Sequence, residues 1–180
     1  MQRTKRVAVA AVGIATAATI ALTTAPALAG DTTTTFTLAG NGLSISVPAS
    51  VNLSTAGSTV IGASSLSGSL GTVTVTDNQG TLAHAWTATV SSTDFTTGVG
   101  GANKTVTKDN ASYTPGTITS SGVGAAVGTP ALSLATSAPV VTATAVIGAM
   151  SASWNPTVSV TIPSSVIAGT YSGTITHSVS

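Results

Sequence analysis

The sequence predicts an all-β protein, a single antiparallel β-sandwich of Greek-key-like type behind a cleaved signal peptide. Three observations carry that expectation. Apolar residues recur at alternate positions through most of residues 30–180, which is the pattern of strands with one buried and one wet face. Thr, Val, Ile and Ser dominate the same stretch, while Gly, Asn and Pro punctuate it. No segment after residue 30 combines three-to-four spacing, end caps and helical length. The abundance of Ser and Thr would also suit an extended, modified stalk, but a stalk has no reason to keep Val and Ile on alternate positions.

The chain opens with Arg3, Lys5 and Arg6, continues through an apolar stretch of small residues over 7–22, and reaches Ala27-Leu28-Ala29. This is the layout of a secretory signal, with cleavage leaving residues 30–180. A retained membrane anchor is the rival reading, because the apolar stretch approaches bilayer length. Its Ala and Thr content and the adjoining cleavage site favour the signal.

Strands are expected over 32–38, 43–47, 72–77, 83–93, 112–119, 140–147, 153–162 and 170–179. Asp77-Asn78-Gln79-Gly80 predicts a hairpin turn, since Asp caps a turn through its side chain and Gly accepts a positive φ. Asn41-Gly42 is a second short-turn signal, and residues 163–169 should connect the last two strands. Residues 98–103 and 120–128, rich in Gly and small residues, are expected as mobile loops.

Past residue 29 there is no Glu, Arg or Cys, and the full charges are Asp31, Asp77, Asp94, Asp109, Lys104 and Lys108. Two lysines against four aspartates leave a weakly acidic chain with no electrostatic reason to bind nucleic acid or anionic lipid. A chain of this length needs no disulfides to bury a core and fits one domain.

Two segments carry a family resemblance. Thr72-Val73-Thr74-Val75-Thr76-Asp77-Asn78-Gln79-Gly80, followed by Trp86-Thr87-Ala88-Thr89-Val90, resembles the first motif region of WxL-domain surface proteins of Gram-positive, actinobacterial type. Tyr171-Ser172-Gly173-Thr174-Ile175-Thr176-His177-Ser178-Val179 resembles their second motif. Ala88 stands at a Leu position, His177 at a Trp position, and Ile175 and Val179 replace Leu. The resemblance implies a secreted protein of the cell wall or extracellular surface that binds peptidoglycan, or another wall glycan, without covalent linkage.

Glycan-binding sandwiches stack sugar rings on exposed aromatics, so Trp86, Trp154, Tyr171 and His177 are the candidate ligand-binding residues. The same positions have a packing reading. Trp86, Ala88 and Val90 share a strand face, as do Tyr171, Ile175, His177 and Val179, and Trp154 shares parity with Val158, Val160 and Ile162.

His84 and His177 are the only imidazoles; Asp77 or Asp94 could join them on a metal, but no ligand spacing supports a site. Neither a Gly-x-Ser-x-Gly elbow nor a sequence-local Ser, His and Asp cluster suggests a hydrolase, so no enzyme and no cofactor are expected. The alternative function is a structural subunit of the envelope, whose sparsely charged strand edges pair with copies of itself or with another surface protein.

Overall fold

The computed structural model describes residues 35–53 and 64–180. The expected signal peptide and the first part of the expected 32–38 strand lie outside the described residues; 35–38 are exposed and in no strand. Leu38–Ser180 forms one compact unit, and of the other unit, Met1–Thr37, the structure describes 35–37.

The described chain is built of antiparallel strands, as the alternation predicts. They are β1 (Gly42–Ser46), β2 (Ser65–Ser69), β3 (Val73–Ser92), β4 (Phe95–Thr96), β5 (Thr105–Val106), β6 (Ala111–Thr114), β7 (Ile118–Gly128), β8 (Ala138–Trp154), β9 (Thr157–Thr161) and β10 (Ile175–Val179). A single 3-10 turn, Lys108–Asn110, is the helical element among the described residues. One sheet runs β1-β3-β8-β7, with β10 pairing the far half of β3; a second runs β2-β9-β6, and β4 pairs β5.

The 20 residues of β3 explain how one sheet makes most of a sandwich. Val73 and Val75 share a buried cluster with Trp86 and Ala88. A straight strand would hold residues 73 and 86 about 43 Å apart. The strand therefore folds back on itself, and its neighbours fold with it. Ile118 and Gly128, the two ends of β7, likewise meet: a Cβ on Gly128 would lie 3.1 Å from Ile118 Cδ1.

The fold-back runs along one line across three strands. Gly80 and Ala83 on β3, Gly122 and Gly124 on β7, and Ala145 and Gly148 on β8 all take positive φ. Register shifts occur between Asp77 and Thr81, between Thr81 and His84, and between Gly122 and Val123. Bulges sharpen local twist and bend a strand, so aligned bulges crease the sheet. The crease is why the core face of β3 is odd-numbered at Val73, Val75 and Asp77 but even-numbered at Trp86, Ala88, Val90 and Ser92.

A second break separates the two main sheets. Ser69 and Thr114 both pair Thr157, whereas Val73 and Ile118 both pair Trp154. β2, β9 and β6 thus extend β3, β8 and β7 beyond an interruption that holds Pro115 and Pro156, which cannot donate to a ladder. This extension packs Tyr113, Val158 and Val160 against Val90, Val140 and Ile175 in a second core cluster.

The structure corrects several expectations: the 112–119 strand is divided at Pro115 into β6 and β7, and the 170–179 strand begins only at Ile175. Residues 77–80 form no hairpin, because β3 runs through them as a bulge while keeping β8 as its partner on both sides. Residues 120–128 belong to β7 rather than to a mobile loop. Gly122 is required by contact, because a Cβ there would collide with the Ala149 carbonyl oxygen, and Gly124 takes a positive φ beside Met150. Separate strands at 140–147 and 153–162 become β8 and β9, divided later than expected, after Trp154.

Candidate functional site

Of the four aromatic and imidazole candidates, Trp86 and Trp154 lie in one core cluster, Tyr171 packs against the other, and His177 is half-buried. Trp86 is 1% exposed and Trp154 2%, both in the cluster enclosed by the creased sheet. This corrects their assignment as sugar-stacking residues, since neither ring offers a face to a ligand. Alternation placed both indoles on the core side of their strands. Tyr171 is half-buried against the second cluster, with its hydroxyl donating to the Ile167 carbonyl at 2.9 Å and lying 3.3 Å from that of Asn103.

His177 and Trp154 meet through a residue to which the sequence assigned no role. Trp154 Nε1–H donates to Tyr113 Oη at 2.8 Å, and Tyr113 Oη lies 3.0 Å from His177 Nε2. An indole nitrogen can only donate, so the Tyr113 proton is free to go to His177. The imidazole then carries its own proton on Nδ1, which is buried without a partner. Burial holds the His177 pKa below the ordinary histidine value. Tyr113 is pushed up to about 12, chiefly by burial, against a smaller opposing effect of the Trp154 hydrogen bond. The arrangement joins β6, β8 and β10 and is structural in character.

The polar cluster with chemical potential is at the crease. Asp77 is fully buried. Its Oδ1 accepts from the Gln79 backbone N–H at 3.0 Å, and its Oδ2 lies 2.6 Å from His84 Nε2. On the other side of the ring, His84 Nδ1 lies 2.9 Å from Thr81 Oγ1. A carboxylate can only accept, so Nε2 carries the proton in the neutral imidazole and Nδ1 accepts from the Thr81 hydroxyl. Asp77 is sealed inside, the His84 side chain is 14% exposed, and Thr81 is exposed, so the relay leads from interior to solvent.

Counting along a single regular strand does not assemble this cluster. Asp77 and His84 are seven positions apart and Thr81 and His84 three. Odd separations put side chains on opposite faces of a regular strand. The bulge with positive φ at Gly80 and Ala83 reverses the parity and brings the three groups together. The available signal was the turn-like Asp77-Asn78-Gln79-Gly80 inside a strand pattern, which marks a bulge as readily as a hairpin.

Near the crease, Thr76, Asn78, Ser121, Gly122, Ala149, Met150 and Ser151 line an open depression of about 160 Å³. Its polar groups are hydroxyls and one side-chain amide, without a charge. Among the described residues no group of three His, Cys, Asp or Glu side chains could hold a metal ion. No helix of the described residues is long and apolar enough to cross a membrane. Comparisons with protein-family models, curated proteins and solved structures return no match.

Proposed function

We propose that the protein is a secreted, WxL-like β-sandwich that associates non-covalently with peptidoglycan of the cell wall, through the neutral outer surface at the crease. The observation that carries this reading is the depression lined by Thr76, Asn78, Ser121 and Ser151. Neutral hydroxyl and amide groups suit sugar hydroxyls and amides of the same kind. Shallow contacts without aromatic stacking bind weakly one at a time, but a polymeric wall presents many copies of the ligand and raises the retained fraction. With Trp86 and Trp154 enclosed, contact by hydrogen bonding replaces contact by stacking.

Co-sedimentation of the purified protein with isolated peptidoglycan tests this. The wild type should pellet, and Asn78→Ala with Ser121→Ala should lower the pelleted fraction while the melting transition stays in place. A wild type that stays in the supernatant would overturn wall binding.

A second reading is favoured by β7, which pairs only with β8 among the described residues and carries no charge or proline. Its outer edge offers unpaired backbone groups to another strand, as a self-associating envelope subunit requires. The bulge at Gly122 and Gly124 divides that edge into short pieces, which limits such pairing. Under this reading sedimentation velocity should show assembly with rising protein concentration and no glycan present. A monomer at every concentration removes it.

A further inference from the structure

We propose that Thr81 is a nucleophilic hydroxyl that accepts an acyl group, with the His84 imidazole as its general base and the Asp77 carboxylate as the positioning group. The inference goes beyond wall association and does not depend on it.

The geometry supplies each role. Thr81 Oγ1 lies 2.9 Å from His84 Nδ1, the nitrogen free to accept in a neutral ring whose Nε2–H faces Asp77, within reach for proton transfer. His84 Nε2 lies 2.6 Å from Asp77 Oδ2, which fixes both the ring plane and the tautomer that leaves Nδ1 basic. Asp77 is held in turn by the Gln79 N–H at 3.0 Å. The two ring nitrogens are used in the opposite sense to the serine-protease arrangement, but the relay of hydroxyl, imidazole and carboxylate is the same, and such relays are recognised by geometry and role. Thr81 itself is exposed, and Leu82 beside it is 82% exposed, leaving room for an acyl donor and apolar surface for its chain.

The donor is a carboxylic ester or thioester. Thr81 Oγ1 bonds to the acyl carbon as its proton passes to His84 Nδ1. The resulting imidazolium faces a buried carboxylate, which stabilises its charge where it forms. The carbon–oxygen or carbon–sulfur bond to the leaving group then breaks, and His84 returns the proton to the departing alkoxide or thiolate. The products are an ester on Thr81 and a free alcohol or thiol, with no oxidant or reductant involved.

Incubating the full chain with p-nitrophenyl acetate and mapping the product by peptide mass tests the proposal. One acetyl group should appear on Thr81, released nitrophenolate should match it, and Thr81→Val should abolish both while Thr81→Ser restores them. Asp77→Asn should slow acetylation about a hundredfold, because its amide N–H₂ forces the other imidazole tautomer and removes the base. A structural role for Asp77 would instead lower the melting temperature and leave the rate per folded molecule unchanged. Acetyl groups found only on Lys5, Lys104, Lys108 or the N-terminal amine would overturn the proposal. So would a Thr81 rate that is unchanged in folded His84→Gln. Should His84→Gln fail to fold, an absence of acetyl on Thr81 in the wild type is sufficient to reject it.

Discussion

At the residue scale, burial decides what the aromatic and imidazole side chains can do. Trp86 fills the creased core, yet its indole N–H is buried without a partner. Trp86→Ala should cost about 3–5 kcal/mol, whereas Trp86→Phe keeps one six-membered ring in the core, removes the orphan donor and should cost less. Urea unfolding of the two variants measures the difference. The Tyr113 network makes a second prediction. Tyr113→Phe leaves the Trp154 N–H and His177 Nε2 unsatisfied and should cost about 1–3 kcal/mol.

The His177 shift makes stability depend on pH. Its folded pKa lies below the unfolded value, so its contribution is complete above about 6.5 and declines as pH falls through the depressed folded value. A urea series from neutral to mildly acid pH should show a falling midpoint, and His177→Phe should remove part of that fall. Tyr113 works at the other end. With its folded pKa raised to about 12, its contribution is complete below about 10 and is lost as pH rises beyond. Ultraviolet titration of Tyr171→Phe, which leaves Tyr113 as the only tyrosine, should show phenolate appearing near the higher value.

At the element scale, the crease sets the architecture, and it is the part that alternation conceals. The face assignment of Trp86, Ala88 and Val90 was legible, as was that of Ile175, His177 and Val179, because each group lies within one uninterrupted strand. What a period of two cannot show is where parity resets. Thus Asp77-Asn78-Gln79-Gly80 read as a hairpin turn rather than a bulge, and the glycines of 120–128 read as loop. The crease predicts unequal costs for similar substitutions. Gly80→Ala meets open space and pays only for a positive φ of 70°, roughly 1 kcal/mol. Gly122→Ala combines a φ of 95° with collision against backbone of β8, so its thermal transition should fall much further. Equal shifts in the two variants would mean that the crease is compliant. β10 is equally integral, since it pairs β3 from Ile175 to Val179 and brings His177 to Tyr113. Deleting residues 171–180 should abolish the cooperative transition, and a truncated protein that melts unchanged would contradict this.

At the scale of the whole molecule, charge is segregated. Among the described residues the charges outside the core are Asp94, Lys104, Lys108 and Asp109, all in the span containing β4, β5 and the 3-10 turn. Asp94 lies ten residues after His84, just past the Ser92 end of β3 as that strand leaves the crease, on the order of 30 Å away. Screening lengths at physiological salt are about 8 Å, so these charges act little on the crease surface. A ligand held at the neutral depression of Asn78 and Ser121 should therefore bind with almost no salt dependence. One held by Lys104 and Lys108 should be released by it. The pelleted fraction with peptidoglycan, measured from low salt to about 1 M, separates the two. A flat profile that falls only in Asn78→Ala with Ser121→Ala places the contact at the crease. A steep decline with salt moves it to the lysines, and then Lys104→Gln with Lys108→Gln should reproduce that decline at low salt.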